Sequence, residues 1–201
     1  MHRLSPRRLR RSVHWTEAIG LDLVGGVVST ADVNADSGTE QVSINTLPWT
    51  GGKVRILLVN DVAYVKGNPW GLRYRLNLTK AQAKRYAGQW ISLPRGDRLS
   101  AGVADGLTLA SIIHYVTPQG HLKLLRAKSH GRRLLVVQAL RSGGSFTSSL
   151  SSYAKGNRLP LGWTFFNGYG NSDEGSFSKW NESMNVQAPA SSTPIATVRR
   201  G

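Results

Sequence analysis

Cysteine is absent from the 201-residue sequence, which excludes disulfides, thiolate metal sites and cysteine nucleophiles. Long apolar runs are absent as well. The longest clean one is Ile56-Leu57-Leu58-Val59, far shorter than a transmembrane helix requires. The first 15 residues are basic but have no apolar region behind them, so they do not have the pattern of a signal peptide.

Acidic residues are also scarce, with 11 Asp and Glu against 26 Lys and Arg, and the formal net charge is +15. Five arginines lie within the first 11 residues, and Arg199 and Arg200 lie at the end of the sequence. The rest of the chain is basic too. Such an excess favours an anionic partner, either nucleic acid, anionic lipid or an acidic polymer. A solvated surface that keeps the protein soluble is the other interpretation.

No pattern in the sequence is typical of an active site. The histidines at positions 14, 114, 121 and 130 are scattered without metal-ligand spacing. The sequence has no G-x-S-x-G nucleophile elbow, no P-loop and no G-x-G-x-x-G motif after a strand. We therefore expect a protein that is not an enzyme, with no catalytic residue, no metal site and no cofactor.

Turn signals divide much of the chain into short runs with the period of a strand. "VRILLVN" and "VAYVKG" flank the polar pair Asn60-Asp61, as the two strands of a hairpin should. "HLKLLRAK" and "RLLVVQAL" flank residues 129–132, and two further runs flank Lys155-Gly156-Asn157. These runs predict antiparallel hairpins rather than β-α-β units.

The middle of the chain has a helical period instead. Thr79 with Gln82 is a capping-box pattern, and the stripe that follows falls at i, i+3, i+4 and i+7: Ala83, Tyr86, Ala87 and Trp90. Asp105 is the predicted cap of a second helix with the stripe Leu109, Ile112, Ile113 and Val116. The sequence thus predicts about five strands, a helical insert near residues 68–117 and about five more strands. The two helices should cover one face of a sheet that is too long to stay flat.

Cations and aromatic residues alternate in "WGLRYRLNLTKAQAKRY". The residues that form a possible phosphate-binding patch are Arg73, Tyr74, Arg75, Lys80, Lys84, Arg85 and Tyr86. The same cations would equally keep the outer face of a helix soluble. The sequence has no RNP, KH or helix-turn-helix signature, so we favour the solvated face and expect no nucleic acid as partner.

Several stretches resemble actinobacterial envelope lipoproteins of the LppX/LprG group, which have a LolA-like fold. They are "VAYVKGN", "LTKAQAKRYAGQWISLP", "GVADGLTLASII" and the closing "SFSKWNESMNVQAPASSTPI", and the resemblance covers residues 12–198. It implies an α+β fold, a strongly curved antiparallel half-barrel with helices on its concave face. It also implies an apolar cavity between sheet and helices that holds lipid chains. The residues expected to line this cavity, or else to form a plain core, are Ile56, Leu58, Leu76, Trp90, Leu109, Ile112, Ile113, Val116 and Val136.

Members of that group begin with a signal peptide and a lipobox cysteine, so we interpret this sequence as an N-terminally truncated relative. The expected organisation is a basic tail over residues 1–11, a lipid-binding domain over 12–190 and a C-terminal tail over 191–201. The resemblance implies a monomer at the extracytoplasmic face of the cell membrane that binds or carries a lipid or lipoglycan with acyl chains and meets the membrane surface. The alternatives are a cytosolic basic protein that binds nucleic acid or another polyanion, and a protein-interaction domain whose cavity is filled.

Overall fold

A computed structural model describes residues 12–21, 25–140, 147–166 and 172–200. Their elements, in chain order, are β1 (Ser12–Leu21), β2 (Gly25–Asn34), β3 (Gly38–Ile44), β4 (Gly52–Val59), β5 (Val62–Gly67), α1 (Pro69–Leu76), α2 (Lys80–Arg85), β6 (Ile91–Leu93), α3 (Ser100–Ala104), α4 (Leu109–Val116), β7 (His121–Ser129), β8 (Arg132–Leu140), β9 (Thr147–Tyr153), β10 (Pro160–Phe166), β11 (Ser172–Ser178), β12 (Thr193–Pro194) and α5 (Ile195–Arg200). In the described ranges, no helix is long and apolar enough to cross a membrane.

All described strands belong to one sheet, in the order β12-β6-β5-β4-β3-β2-β1-β11-β10-β9-β8-β7. The pairs are antiparallel except for β12 with β6, and β1 lies inside the sheet between β2 and β11. Four of the helices fall between β5 and β7. The predicted antiparallel sheet with a helical insert is therefore confirmed at this level of detail.

Two of the predicted hairpins have the backbone that tight turns need. Asn60 and Asp61 have φ values of 51° and 61°, and they connect the paired residues Val59 and Val62. Positive φ at both central residues matches the twist of the flanking strands. His130 and Gly131, with φ values of 45° and 77°, connect β7 to β8 in the same way. Both hairpin predictions are confirmed.

One face of the sheet forms the core together with the helices. Side chains alternate along each strand, so the register places Val33, Ile56 and Val65 on the same face, here called the helix-side face. All three are fully buried. Helix α1 packs against β4 and β5 and adds Leu72 and Leu76 to this core. Because apolar residues alternate along the first five strands, one face of the sheet is apolar, and the helices pack on that face.

Helix α2 is shorter than its predicted stripe, whereas α4 spans the whole of its own stripe. Helix α2 begins after Thr79, whose side chain accepts from the Gln82 backbone N–H, so the predicted capping box is confirmed. The helix ends at Arg85, and Gly88 has a φ of 74°, which an α-helix cannot contain. The prediction that Trp90 belongs to this helix is therefore wrong.

The predicted cap of the second helix is also wrong. Gly106 has a φ of 77° and separates Asp105 from α4, and the Thr108 side chain caps that helix by accepting from the Ser111 backbone N–H. A glycine in the left-handed region ends the preceding turn, and the next Thr with a Ser three residues on starts the helix anew.

The described end of the chain, up to Arg200, is packed against the core. Within the segment predicted as a C-terminal tail, residues 193–200 form β12 and α5, and Ile195 and Val198 are buried in the core. The Arg199 guanidinium donates to both carboxylate oxygens of Asp97, at 2.7 and 3.1 Å. The predicted basic tail over residues 1–11 lies outside the described residues.

Candidate functional site

A small cleft lies between the helices and the first three strands, and we call it the β1–β3 cleft. It has a volume of about 180 Å³. Its apolar lining includes Trp15, Ile19, Val27, Val42 and Ile112, and its polar lining includes Glu17, Ser29, Glu40, Tyr74, Arg75, Asp105 and Tyr115. The cleft is therefore lined by charged and aromatic groups as well as by aliphatic ones, unlike the apolar cavity that the resemblance implies.

Glu17 and Tyr115 form one polar contact of this cleft. The Tyr115 hydroxyl donates to Glu17 Oε1 at 3.0 Å, and the Tyr115 ring packs edge-on against Phe165 at a centroid distance of 5.3 Å. Burial raises the pKa of Glu17 to about 7, although the hydrogen bond from Tyr115 favours the ionised form. Burial, with the nearby Glu17 carboxylate, also raises the pKa of Tyr115, so this hydroxyl stays a donor.

Glu40 and Arg75 form the second polar contact. The Glu40 side chain is only 6% exposed, and Arg75 Nη2 lies 3.9 Å from Glu40 Oε2, which is too far for a hydrogen bond. Arg75 Nη2 donates instead to the Val103 carbonyl oxygen at 3.2 Å. Burial raises the pKa of Glu40, and the Arg75 charge opposes this only in part. Within the described residues, Glu40 Oε2 has no hydrogen-bond partner.

Among the described residues, no element covers the far end of the sheet. Every residue of β7 is exposed, and three of its leucines show large fractions of their surface: Leu122 at 57%, Leu124 at 66% and Leu125 at 41%. β7 pairs only with β8 and is an edge of the sheet as described. The register places Leu122 and Leu124 on the helix-side face, since Leu124 aligns with Val137, Leu150 and Trp163 across β8, β9 and β10. Leu125 is on the opposite face.

This region also belongs to a long stretch of sequence that is basic and has no acidic residue. Residues 106–172 contain eight Lys and Arg and no Asp or Glu. Lys128 and Arg133 are paired across the β7–β8 hairpin, on the same face as Leu124. The run without acids is visible in the sequence and is the signal that could have located this surface.

The nine residues predicted to line a lipid cavity lie in three different environments. Ile56, Leu58, Leu76, Ile112 and Val116 are buried in the core cluster. Leu109 packs against that cluster, while Ile113 and Trp90 are half-buried. Val136 is half-buried on β8, paired with Leu125 on the face opposite the helices. The structure brings most of them together, and a role in contacting acyl chains stays a prediction for all nine.

The cations of the alternative prediction do not share one open face. The Arg73 guanidinium stacks on Trp49 and Trp70, with ring centroids at 4.7 and 5.2 Å. The Arg75 guanidinium lies 3.9 Å from the Glu40 carboxylate and donates to the Val103 carbonyl oxygen. Lys84 is exposed on α2. Of the five cations in that predicted patch, Arg73 and Arg75 are thus engaged by neighbours within the fold.

Comparisons with known proteins give little. No family model and no curated protein matches the sequence. Among solved structures, the chain is similar to a LolA superfamily protein from Nitrosomonas europaea, with 10% identity, a TM-score of 0.30, and 88% of this chain and 87% of that one covered. It is also similar to PNGF-II, with 10% identity and a TM-score of 0.31, covering 95% of this chain but 32% of that one. TM-scores this low carry no conclusion about function, and neither similarity bears on the narrower LppX/LprG group.

Proposed function

We propose that this protein binds a lipid without catalysing a reaction, and that the acyl chain lies on the uncovered helix-side surface of β7, β8 and β9. The observation that carries the proposal is the exposure of Leu122 and Leu124 on an edge strand, on the face that elsewhere is covered by helices. A soluble protein rarely leaves neighbouring large apolar side chains in water without a partner for them.

The apolar part of this surface is continuous. Leu122 and Leu124 are followed on the same face by Val137 of β8 and Leu150 of β9, both half-buried. Covering a leucine completely is worth roughly 1.5–3 kcal/mol, so two leucines that are more than half exposed contribute on the order of 2–4 kcal/mol when an acyl chain covers them. That is enough for weak binding, to which a charged head group can add.

The cations supply the head-group contact. Lys128 and Arg133 lie at the turn end of the β7–β8 hairpin, on the same face as Leu124. The stretch of sequence around them, residues 106–172, contains no Asp or Glu that would compete for them. Each cation near an anionic lipid surface contributes about 1 kcal/mol. The proposed ligand is therefore an anionic lipid, taken from or delivered to a membrane. A place at the extracytoplasmic face of a cell membrane rests on the resemblance to envelope lipoproteins alone.

A polyanion such as nucleic acid is the second candidate, because the same acid-free segment favours it. The two ligands make different use of the surface. Phosphate contacts need the cations and not the leucines, whereas an acyl chain needs both. Replacing Leu122 and Leu124 should therefore affect binding of a lipid but not binding of a nucleic acid.

The test compares two faces of one strand. Delipidated protein is titrated with a fluorescent fatty-acyl probe and sedimented with vesicles that contain or lack anionic phospholipid. Leu122→Gln/Leu124→Gln should abolish probe binding, while Leu125→Gln, on the opposite face, should retain it. All three residues are exposed, so melting temperatures should change little.

Two results would contradict the proposal. One is absence of probe binding by the delipidated parent protein. The other is an equal loss of binding in the double variant and in Leu125→Gln, which would indicate non-specific adsorption. Binding of a labelled single-stranded oligonucleotide that survives the double leucine change but not Lys128→Gln/Arg133→Gln, without any probe binding, favours the polyanion.

A further inference from the structure

We propose that the β1–β3 cleft is a second binding site, separate from the surface of β7, β8 and β9 proposed above for an acyl chain. Its ligand is a small organic ammonium ion. Three acids from separate elements line the cleft, and one cation, Arg75, stands against them. In a chain with 11 acids and a net charge of +15, three carboxyl groups around one cleft are a local concentration of acidic groups.

The sheet register brings two of the carboxyl groups together. Glu17 of β1 pairs with Ser29 of β2, and Ala31, the next residue of β2 on the same face, pairs with Glu40 of β3. Both carboxyl groups therefore face the helices across β2. Asp105 reaches the cleft from the loop between α3 and α4.

An unmet hydrogen-bond acceptor points to a donor as ligand. Glu40 Oε2 is buried, and no described group donates to it. Arg75 Nη2 is held 3.9 Å away by its own bond to Val103. A buried acceptor without a donor destabilises the site, and more so when it is charged, so a ligand N–H at this position removes that cost.

Aromatic side chains complete the recognition of a cation. The cleft is lined by three aromatic residues, Trp15, Tyr74 and Tyr115. Hydrogen bonds hold two of these side chains, Trp15 and Tyr115, in place. The Trp15 indole N–H donates to the Gly106 carbonyl oxygen at 3.2 Å, and Tyr115 is held by Glu17. Aromatic rings beside carboxylates form the environment that attracts ammonium groups. Metal chemistry is a poorer fit, because among the described residues no three His, Asp or Glu side chains are grouped as ligands for one ion.

The size of the cleft sets the size of the ligand. Its volume of about 180 Å³ is below the ~300 Å³ at which drug-sized pockets begin. A volume of this size suits a short alkyl amine or diamine.

The experiment uses the full chain and calorimetric titration with 1,4-diaminobutane at about pH 8, where the amine is charged. The uncharged analogue 1,4-butanediol is the ligand control. We expect one diamine to bind per chain and no heat from the diol. Glu40→Gln should weaken diamine binding about tenfold or more, because the ion pair is lost. Glu174→Gln, at an exposed site on the opposite face of the sheet, should leave it unchanged.

Tyr74→Leu is a second test that does not depend on how well Glu40→Gln folds, since Tyr74 is 40% exposed. It should weaken diamine binding severalfold without lowering the melting temperature. The proposal is overturned if the parent binds no diamine, or if it binds the diol as tightly as the diamine. It is also overturned if Glu174→Gln reduces binding as much as Glu40→Gln, or if Mg²⁺ binds in place of the diamine. Lipid binding at β7 is measured separately, so either proposal can fail alone.

Discussion

Replacing Glu17 by glutamine should stabilise the protein at neutral and alkaline pH. Burial raises the pKa of Glu17 from its ordinary value of 4.5 to about 7, so the native state resists ionisation of this carboxyl group more than the unfolded chain does. Between these two values the native state binds more protons than the unfolded state, and the free energy of unfolding falls as pH rises. Glutamine occupies the same volume, still accepts from the Tyr115 hydroxyl and carries no charge.

The magnitude follows from the same values. A pKa displaced from 4.5 to about 7 corresponds to roughly 3 kcal/mol at 1.36 kcal/mol per pH unit. Glu17 is half-buried and partly reached by water, so we expect about half of that. The stability advantage of Glu17→Gln over the parent should therefore grow by roughly 1–2 kcal/mol between about pH 5 and pH 8.

Urea unfolding at several pH values measures this difference directly. Because Glu40 and Asp173 also have raised pKa values, the parent alone will lose stability with rising pH for several reasons. The comparison with Glu17→Gln isolates one of them. Glu174→Gln, exposed on the opposite face, serves as the matched control. Parallel stability curves for parent and Glu17→Gln would show that this carboxyl group is not desolvated, and the description of the cleft would have to be abandoned.

Two further predictions concern packing and the end of the chain. Gly175→Ala should cost roughly 1–3 kcal/mol in urea unfolding, because a Cβ there would lie 2.2 Å from the Trp163 ring, whereas Gly102→Ala, with nothing within 4 Å, should not destabilise the protein. Arg199→Ala should lower stability by about 1 kcal/mol at neutral pH and less in acid, since Arg199 lowers the pKa of Asp97 and the bond is lost as that carboxylate is protonated. Amide hydrogen exchange should then accelerate in α5 first, and unchanged exchange there would contradict the importance of this ion pair.

The hairpins were predictable because their information is local. Asn60-Asp61 between two apolar runs specifies both the turn and the register, and the capping box at Thr79 specifies a helix start in the same way. Helix α1 lies within the predicted helical insert, but it was not identified as a separate helix because its large residues, Trp70, Leu72, Tyr74 and Leu76, alternate with the period of a strand. Asn68 and Pro69 at its start carried the contrary signal, a capping side chain followed by proline.

The cleft was not predictable from the sequence. Glu17, Glu40, Arg75 and Tyr115 are far apart in the chain, and only the pairing of β1, β2 and β3 with the helices above them makes them neighbours. The alternation of apolar residues identifies which face of a strand is buried. A single carboxylate on that face, such as Glu17 or Glu40, only interrupts the alternation and does not reveal a site. The small β12 strand and α5 were missed for a similar reason, since two paired residues and a six-residue helix depend on tertiary contacts.

The position of β1 has a consequence for how the protein is made. β1 can pair with β2 as soon as both are synthesised, because the two strands are adjacent in sequence. Its other neighbour, β11, is formed by residues 172–178. During synthesis the first strand therefore keeps an open edge until most of the chain has left the ribosome. Pairing across such a sequence distance is slow, because the intervening loop must be closed first. A chain interrupted before residue 172 would present that open edge to other chains, and the β11 strand of a second molecule could pair with it.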